Sequence, residues 1–182
     1  MDLFEIAAQA VGIAAMAFNI LSYQQKTRTR AIGLQFFGSA LFAVNYFMLG
    51  AMVGGILNLV GTVRAIVFIN KEKLQAQRLP WLIGFTAVYL LSYLLTFTVF
   101  GKELTLFNMI VEFLPVVGMT ATTISFRLTD AKSIRRYGLI SSPSWLIYNI
   151  VNFSIGAICC EVLSLGSILI GMWRLDVKKN KK

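Results

Sequence analysis

Seven apolar stretches fill almost the whole chain, at about 4–24, 31–49, 51–70, 80–100, 105–126, 136–153 and 155–173. Each matches the roughly 20 mainly apolar residues that a helix needs to cross a bilayer. Lipid offers no partner to a free backbone N–H or C=O, so segments of this kind must be helical. They lack the short alternating pattern of a membrane β-barrel. Composition agrees: 57% of residues are hydrophobic and 14% charged, whereas soluble domains carry about 25% charged residues. The expected fold is an all-α membrane protein with seven transmembrane helices. Asp2 and Glu5 stand at the leading end of the first stretch, with no Lys or Arg there. The positively charged start of a cleavable signal peptide is therefore missing, and this stretch reads as a span.

The charges alternate by loop. Lys26, Arg28 and Arg30 lie in 24–31; Lys71, Lys73 and Arg78 in 70–80; Arg127, Lys132, Arg135 and Arg136 in 126–136. Arg174, Lys178, Lys179, Lys181 and Lys182 follow the last stretch, so these four regions hold fifteen of the seventeen bases. The loops near 50 and 154 hold none, and the one near 101 holds Lys102 beside Glu103. Bases concentrate on the cytosolic side of membrane proteins. The expected topology has the N-terminus outside and the C-terminus in the cytosol. The net charge of +9 then reports orientation in a lipid bilayer and no nucleic-acid partner. Anionic head groups are a second target for the tail.

Several chemistries are not expected. The chain has no His, and its two Cys, Cys159 and Cys160, are adjacent within an apolar stretch. There is no Cys-x-x-Cys or Cys/His cluster for a metal. No Gly-rich phosphate loop or nucleophile elbow is visible, so no cofactor and no enzymatic activity are expected.

An internal repeat organises the chain. Ser22-Tyr23 falls on Ser125-Phe126 at an offset of 103 residues. At the same offset Gln9 meets Glu112, Asn19 meets Thr122, Ser39 meets Ser142 and Phe42 meets Trp145. Asn45-Tyr46 meets Tyr148-Asn149, and Asn58 meets Glu161. Polar residues are scarce in membrane helices, so their coincidence carries weight. The implied plan is a three-helix bundle (1–75), a linker helix (76–103), a second, parallel three-helix bundle (104–176) and a basic tail (177–182). Parallel repeats about an axis along the membrane normal are a known transporter architecture.

The Ser22-Tyr23-Gln24-Gln25-Lys26 corner resembles the one typical of the YgjV family of bacterial inner-membrane proteins. The 3+1+3 plan is similar to the SWEET, PQ-loop and PnuC group of small-solute transporters. The Pro-Gln signature of that group would sit near Tyr23-Gln24, where this chain has no Pro. Trp145-x-x-x-Asn149 resembles the latter half of a PnuC motif whose earlier Trp is Ser142 here. Phe42 with Asn58, and Trp145 with Glu161, resemble the aromatic-plus-Asn pairs that flank the sugar in SWEETs. The resemblance implies an inner-membrane location and transport of a polar metabolite.

Ser142, Trp145, Tyr148, Asn149 and Asn152 recur at helical spacing and form one stripe; Gln35, Ser39, Phe42, Asn45 and Tyr46 form another. An aromatic face beside amides suits a flat polar solute. The same groups also serve as interhelical hydrogen-bonding glue. Glu112 and Glu161 are carboxyls at membrane depth, which costs roughly 2.5–3.5 kcal/mol on insertion scales. Each binds a cation, carries a proton or pairs structurally. Arg64 is expected to snorkel towards the head groups. Pro115 and Pro143 are kinks, acting either as hinges or as fixed bends. Gly54, Gly55 and Gly61 are expected to allow close packing.

The expected substrate site is Phe42, Asn45, Tyr46, Asn58, Trp145, Tyr148, Asn149 and Glu161, with Glu112 and Glu161 as coupling groups and no metal. The partner is a small vitamin-, nucleoside- or sugar-like molecule, and the oligomeric state is not read. The alternative is a non-transporting assembly factor or sensor. A cavity of at least roughly 300 Å3 favours transport.

Overall fold

The computed structural model describes residues 3–48, 52–151 and 155–177. Asn152, the loops near 50 and 154, and Lys178–Lys182 lie outside the described residues. Seven α-helices follow one another: α1 (Leu3–Tyr23), α2 (Arg28–Met48), α3 (Met52–Ile69), α4 (Leu79–Thr98), α5 (Leu106–Arg127), α6 (Ala131–Val151) and α7 (Ile155–Gly171). α7 runs into a wider π-helical turn at Met172–Val177. No strand occurs among the described residues.

Local chemistry sets several helix starts. Pro80 sits in the first turn of α4, where its missing N–H costs nothing. Thr105 caps α5 by accepting from Asn108 N at 3.2 Å. Asp130 caps α6, accepting from Ser133 N at 2.7 Å and Ser133 Oγ at 2.9 Å. Partial burial pushes the Asp130 carboxyl up, but these hydrogen bonds and Arg136 outweigh it and leave the pKa below its usual value.

Apolar side chains face outward. Ile13, Leu21, Phe37, Leu59, Ile66 and Leu91 are all exposed, while Ser22, Gln35, Thr123, Ser125, Ser142 and Asn149 are buried. Lipid is as apolar as leucine, so the polar groups gather where protein partners exist. Five helices, α1, α2, α4, α5 and α7, are long and apolar enough to cross a membrane. α3 has a shorter apolar run, Gly54–Ile69. α6 falls short through polarity: Lys132, Arg135 and Arg136 lie in its first turns. Its Ser133, Arg135, Ser141, Ser142, Ser144 and Asn149 are buried against neighbouring helices, which keeps them out of lipid.

α1, α2 and α3 pack as consecutive neighbours, as do α5, α6 and α7; α1 lies against α7 and α4 against α5. α4 also enters the core. Phe68 of α3 meets Phe85 of α4 at 6.0 Å and Phe126 of α5 at 6.0 Å, and Tyr89 is fully buried. Glycines bring helices close, as expected for α3: a Cβ on Gly55 would stand 2.5 Å from the Phe47 ring, and one on Gly54 2.9 Å from Tyr46.

The basic ends of the helices are tied together. Arg28 Nε donates to the Phe126 carbonyl at 3.0 Å, and Nη2 donates to the Phe68 carbonyl at 2.8 Å. Those carbonyls belong to the last turns of α5 and α3, whose oxygens have no partner within their helix. Arg127 Nη2 donates to Gln77 O at 2.9 Å, and Lys71 Nζ to Leu128 O at 3.2 Å. Arg135 forms a buried ion pair with Asp176, with Nε to Oδ2 at 3.0 Å, and Arg135 Nη1 also donates to Gln25 O at 3.0 Å. Removing one partner of a buried pair leaves an uncompensated charge. Asp176→Asn is expected to cost about 3 kcal/mol, the low end of that effect, because Arg135 keeps the Gln25 carbonyl. Thermal unfolding in detergent measures it, with the exposed Arg30→Gln as a control expected within about 0.5 kcal/mol. Equal losses in the two variants would sink the assignment.

Candidate functional site

A cavity of about 110 Å3 lies among α1, α2, α3, α5, α6 and α7. It is smaller than the roughly 300 Å3 of a pocket for a drug-sized ligand. Six of the eight expected site residues line it: Phe42 and Tyr46 from α2, Asn58 from α3, Trp145 and Asn149 from α6, and Glu161 from α7. Gln35, Ser39 and Ser142 from the two polar stripes join them. Trp145 is seated by Gly118: a Cβ there would stand 3.0 Å from Trp145 Cδ1 and 3.3 Å from Ser141 O.

Asn45 and Tyr148 lie elsewhere. Asn45 is buried and donates from Nδ2 to the Ala8 carbonyl at 2.7 Å, joining α2 to α1. Gly12 makes room for it, since a Cβ there would lie 3.0 Å from Asn45 Nδ2. Tyr148 meets Trp145 edge-on at 5.8 Å. It lines a second, smaller cavity of about 20 Å3, with Tyr89, Tyr93, Pro115 and Glu112. Glu112 is buried and ion-paired with Lys102. Pro115 and Pro143 lie within α5 and α6, which run unbroken through them.

Glu161 is different. Its carboxyl lines the main cavity beside the Ser142 side chain, within hydrogen-bonding reach. The ion pairs among the described residues do not include it.

Arg64 corrects the expectation of snorkelling. It is 5% exposed and lines the cavity. Nη1 donates to Met119 O at 3.2 Å and Tyr89 Oη at 3.3 Å, and the guanidinium lies 5.1 Å from the centre of the Phe126 ring. The reason is facial. Arg64 shares the inward side of α3 with Leu57, Gly61, Ala65 and Phe68, all buried, so its side chain leaves the helix into protein rather than lipid. No carboxylate pairs with it among the described residues.

Sequence reasoning also passed over Asn19 and Tyr23 of α1, and Thr122, Ser141, Cys160 and Ser164, all on the cavity wall. The offset of 103 residues was the available signal. The pairs Asn19 and Thr122, Ser39 and Ser142, Phe42 and Trp145, Tyr46 and Asn149, and Asn58 and Glu161 all line this cavity. Asn45 and Tyr148, also 103 apart, both miss it. Ser22 Oγ donates to Asn19 O at 2.7 Å, and Ser125 Oγ to Thr122 O at 2.7 Å.

Apolar outer faces, helices of spanning length and a polar cavity lined by six helices define a multi-pass helical membrane protein. The chain belongs to the Imp-YgjV family of bacterial inner membrane proteins, whose pattern matches residues 6–179. It is similar to the inner membrane protein YgjV of Escherichia coli (strain K12), with 25% identity over 172 residues, covering 93% of this chain and 86% of that protein. No solved structure matches the chain.

The two asparagines at comparable depth on neighbouring helices should respond differently. Asn45 bonds across helices, whereas Asn58 Nδ2 donates to Gly54 O of its own helix at 2.9 Å. Asn45→Ala is expected to cost about 0.6–1.7 kcal/mol, the span measured for interhelical bonds in membranes, and Asn58→Ala less. Melting curves in detergent separate them, and the reverse order would overturn the division into glue and cavity wall.

Proposed function

We propose that this protein is a passage for a small polar solute across the inner membrane, running between two related three-helix bundles, α1–α3 and α5–α7. The observation that carries this reading is the cavity, whose wall is built from residues 103 apart contributed by both triples. Paired walls of this kind are what a two-copy transporter presents at its centre. α4 links the copies and lets them run parallel, with the N-terminus outside and the basic ends in the cytosol. Phe42 and Trp145 offer ring faces, and Asn58, Asn149 and Ser142 offer hydrogen bonds. The cavity's size favours a solute smaller than a vitamin or nucleoside. Pro115 and Pro143 each free a carbonyl in their helix and are the points where α5 and α6 would flex. No enzymatic role is proposed.

Water access tests this reading without knowledge of the substrate. A thiol reacts as its thiolate, which forms readily only where water reaches. In a background of Cys159→Ala and Cys160→Ala, Ser39→Cys and Asn58→Cys are expected to react with a charged, impermeant thiol reagent from either side of the membrane. Leu59→Cys, on an exposed apolar position of α3, should stay unreactive. Reaction from one side only, or from neither, overturns the passage and favours a non-transporting assembly factor or sensor.

A further inference from the structure

The cavity wall carries two ionisable side chains of opposite sign, and they do not meet. Arg64 and Glu161 both line it, yet the ion pairs among the described residues join neither of them to any partner. Charges at membrane depth are retained where they have a partner or a function. Among the described residues each lacks a charged partner, and both line the same cavity.

The guanidinium is only partly committed to the protein. Its Nη1 donates to Met119 O, Tyr89 Oη and the more distant Thr123 Oγ1. Its Nε is buried, and among the described residues neither Nε nor Nη2 adds a hydrogen bond to those of Nη1. Nε and Nη2 are the edge that grips a carboxylate with two parallel hydrogen bonds. Gly61 gives Ser39 room on the cavity wall: a Cβ there would stand 3.3 Å from Ser39 Oγ, and at an ordinary contact distance of 3.8 Å from Arg64 Nη2. On the wall of the same cavity, the Glu161 carboxyl is an acceptor for an ammonium, and the Trp145 ring offers a face to a cation.

We infer that the solute is a small zwitterion of the α-amino-acid type, its carboxylate held by Arg64 and its ammonium by Glu161. Such a molecule satisfies both charges at once and brings no net charge into the membrane. Bulk limits it: about 110 Å3 is the space of a handful of water molecules at about 30 Å3 each. The smallest amino acids suit it and large side chains do not. This inference rests on the passage proposed above and narrows what passes.

Counterflow of labelled glycine into liposomes holding the full chain tests it, with acetate, methylammonium and urea run as separate labelled probes. Glycine is expected to exchange at least about tenfold faster than any of the other three, the ratio that corresponds to about 1.4 kcal/mol. Arg64→Lys keeps the charge but loses the fork, and should lower glycine exchange by about tenfold or more. Glu161→Gln should lower glycine exchange similarly. Gly61→Ala removes neither charge; its Cβ would press on Ser39 Oγ at 3.3 Å on the cavity wall, so it should lower exchange as well, and it keeps the test open if Arg64→Lys fails to fold. Exchange of acetate, methylammonium or urea as fast as glycine overturns the zwitterion and leaves the passage standing. So does glycine exchange that survives in both Glu161→Gln and Gly61→Ala. If no probe moves faster than in protein-free liposomes, the zwitterion is overturned. The thiol labelling of Ser39→Cys and Asn58→Cys then shows whether the passage falls with it.

Discussion

A guanidinium buried without a carboxylate is the constraint around which this interior is arranged. Arg64 sits on the inward face of α3 at 5% exposure, in a protein whose outer surface is lipid-facing. An unpaired charge there has to be solvated by dipoles, π-faces or water. The dipoles come from Met119 O of α5 and Tyr89 Oη of α4, and the π-face from Phe126 of α5. Tyr89 Oη in turn lies 3.0 Å from Thr123 Oγ1, which donates to Met119 O at 2.8 Å. One charge therefore clamps three helices. It also explains why α4, read from the sequence as a linker, buries Phe85 and Tyr89 in the core. Arg64 also lines the cavity, so the charge has a polar space beside it.

The two ends of the molecule are held differently. At the basic end, Arg28, Lys71, Arg127 and Arg135 all donate to backbone carbonyls of other segments. The end carbonyls of helices attract cations through both hydrogen bonding and the helix dipole. Bases placed there by the topology rule thus also hold the ends of α3, α5 and α7 in register. Gln24 adds a bond to Ser167 O at 2.6 Å, and Ser167 Oγ donates to Ile20 O at 2.7 Å, fixing α1 on α7. At the opposite end, the ion pair among the described residues is Lys102 with Glu112.

The parts of this arrangement that were legible in the sequence are those set by composition along the chain. Hydropathy located the helices, because lipid penalises polar residues wherever they face outward. Polar residues within apolar runs pointed to the interior, and Phe42, Tyr46, Asn58, Trp145, Asn149 and Glu161 do share one cavity. Direction around a helix was harder to read. Asn45 and Tyr46 are adjacent, yet one turns to α1 and the other to the cavity. A stripe of helical spacing spans too wide an arc to separate them. Arg64 was misplaced because it lies near the end of α3, where a long side chain can reach the head groups as readily as the interior. α6 was counted as a span like the others, although its serines and bases need protein around them. That information lies in helix packing, which the linear pattern does not contain.

The proposed two-copy plan accounts for how the charges are distributed on the cavity wall. Residues 103 apart share positions on the cavity but not chemistry. Glu161 faces a cavity whose corresponding place in the other triple holds Asn58, a neutral amide of similar shape. Arg64 corresponds to Ser167, a buried hydroxyl spent on the Ile20 carbonyl. Each triple thus contributes one charge, of opposite sign and at a different position along its helix. Two identical copies would place like charges symmetrically about the axis, where they would repel at low dielectric. Divergence at these two positions removes that repulsion and leaves the cavity with a positive and a negative wall. On the proposed zwitterion, such a field acts through the ligand's internal dipole more than through its shape.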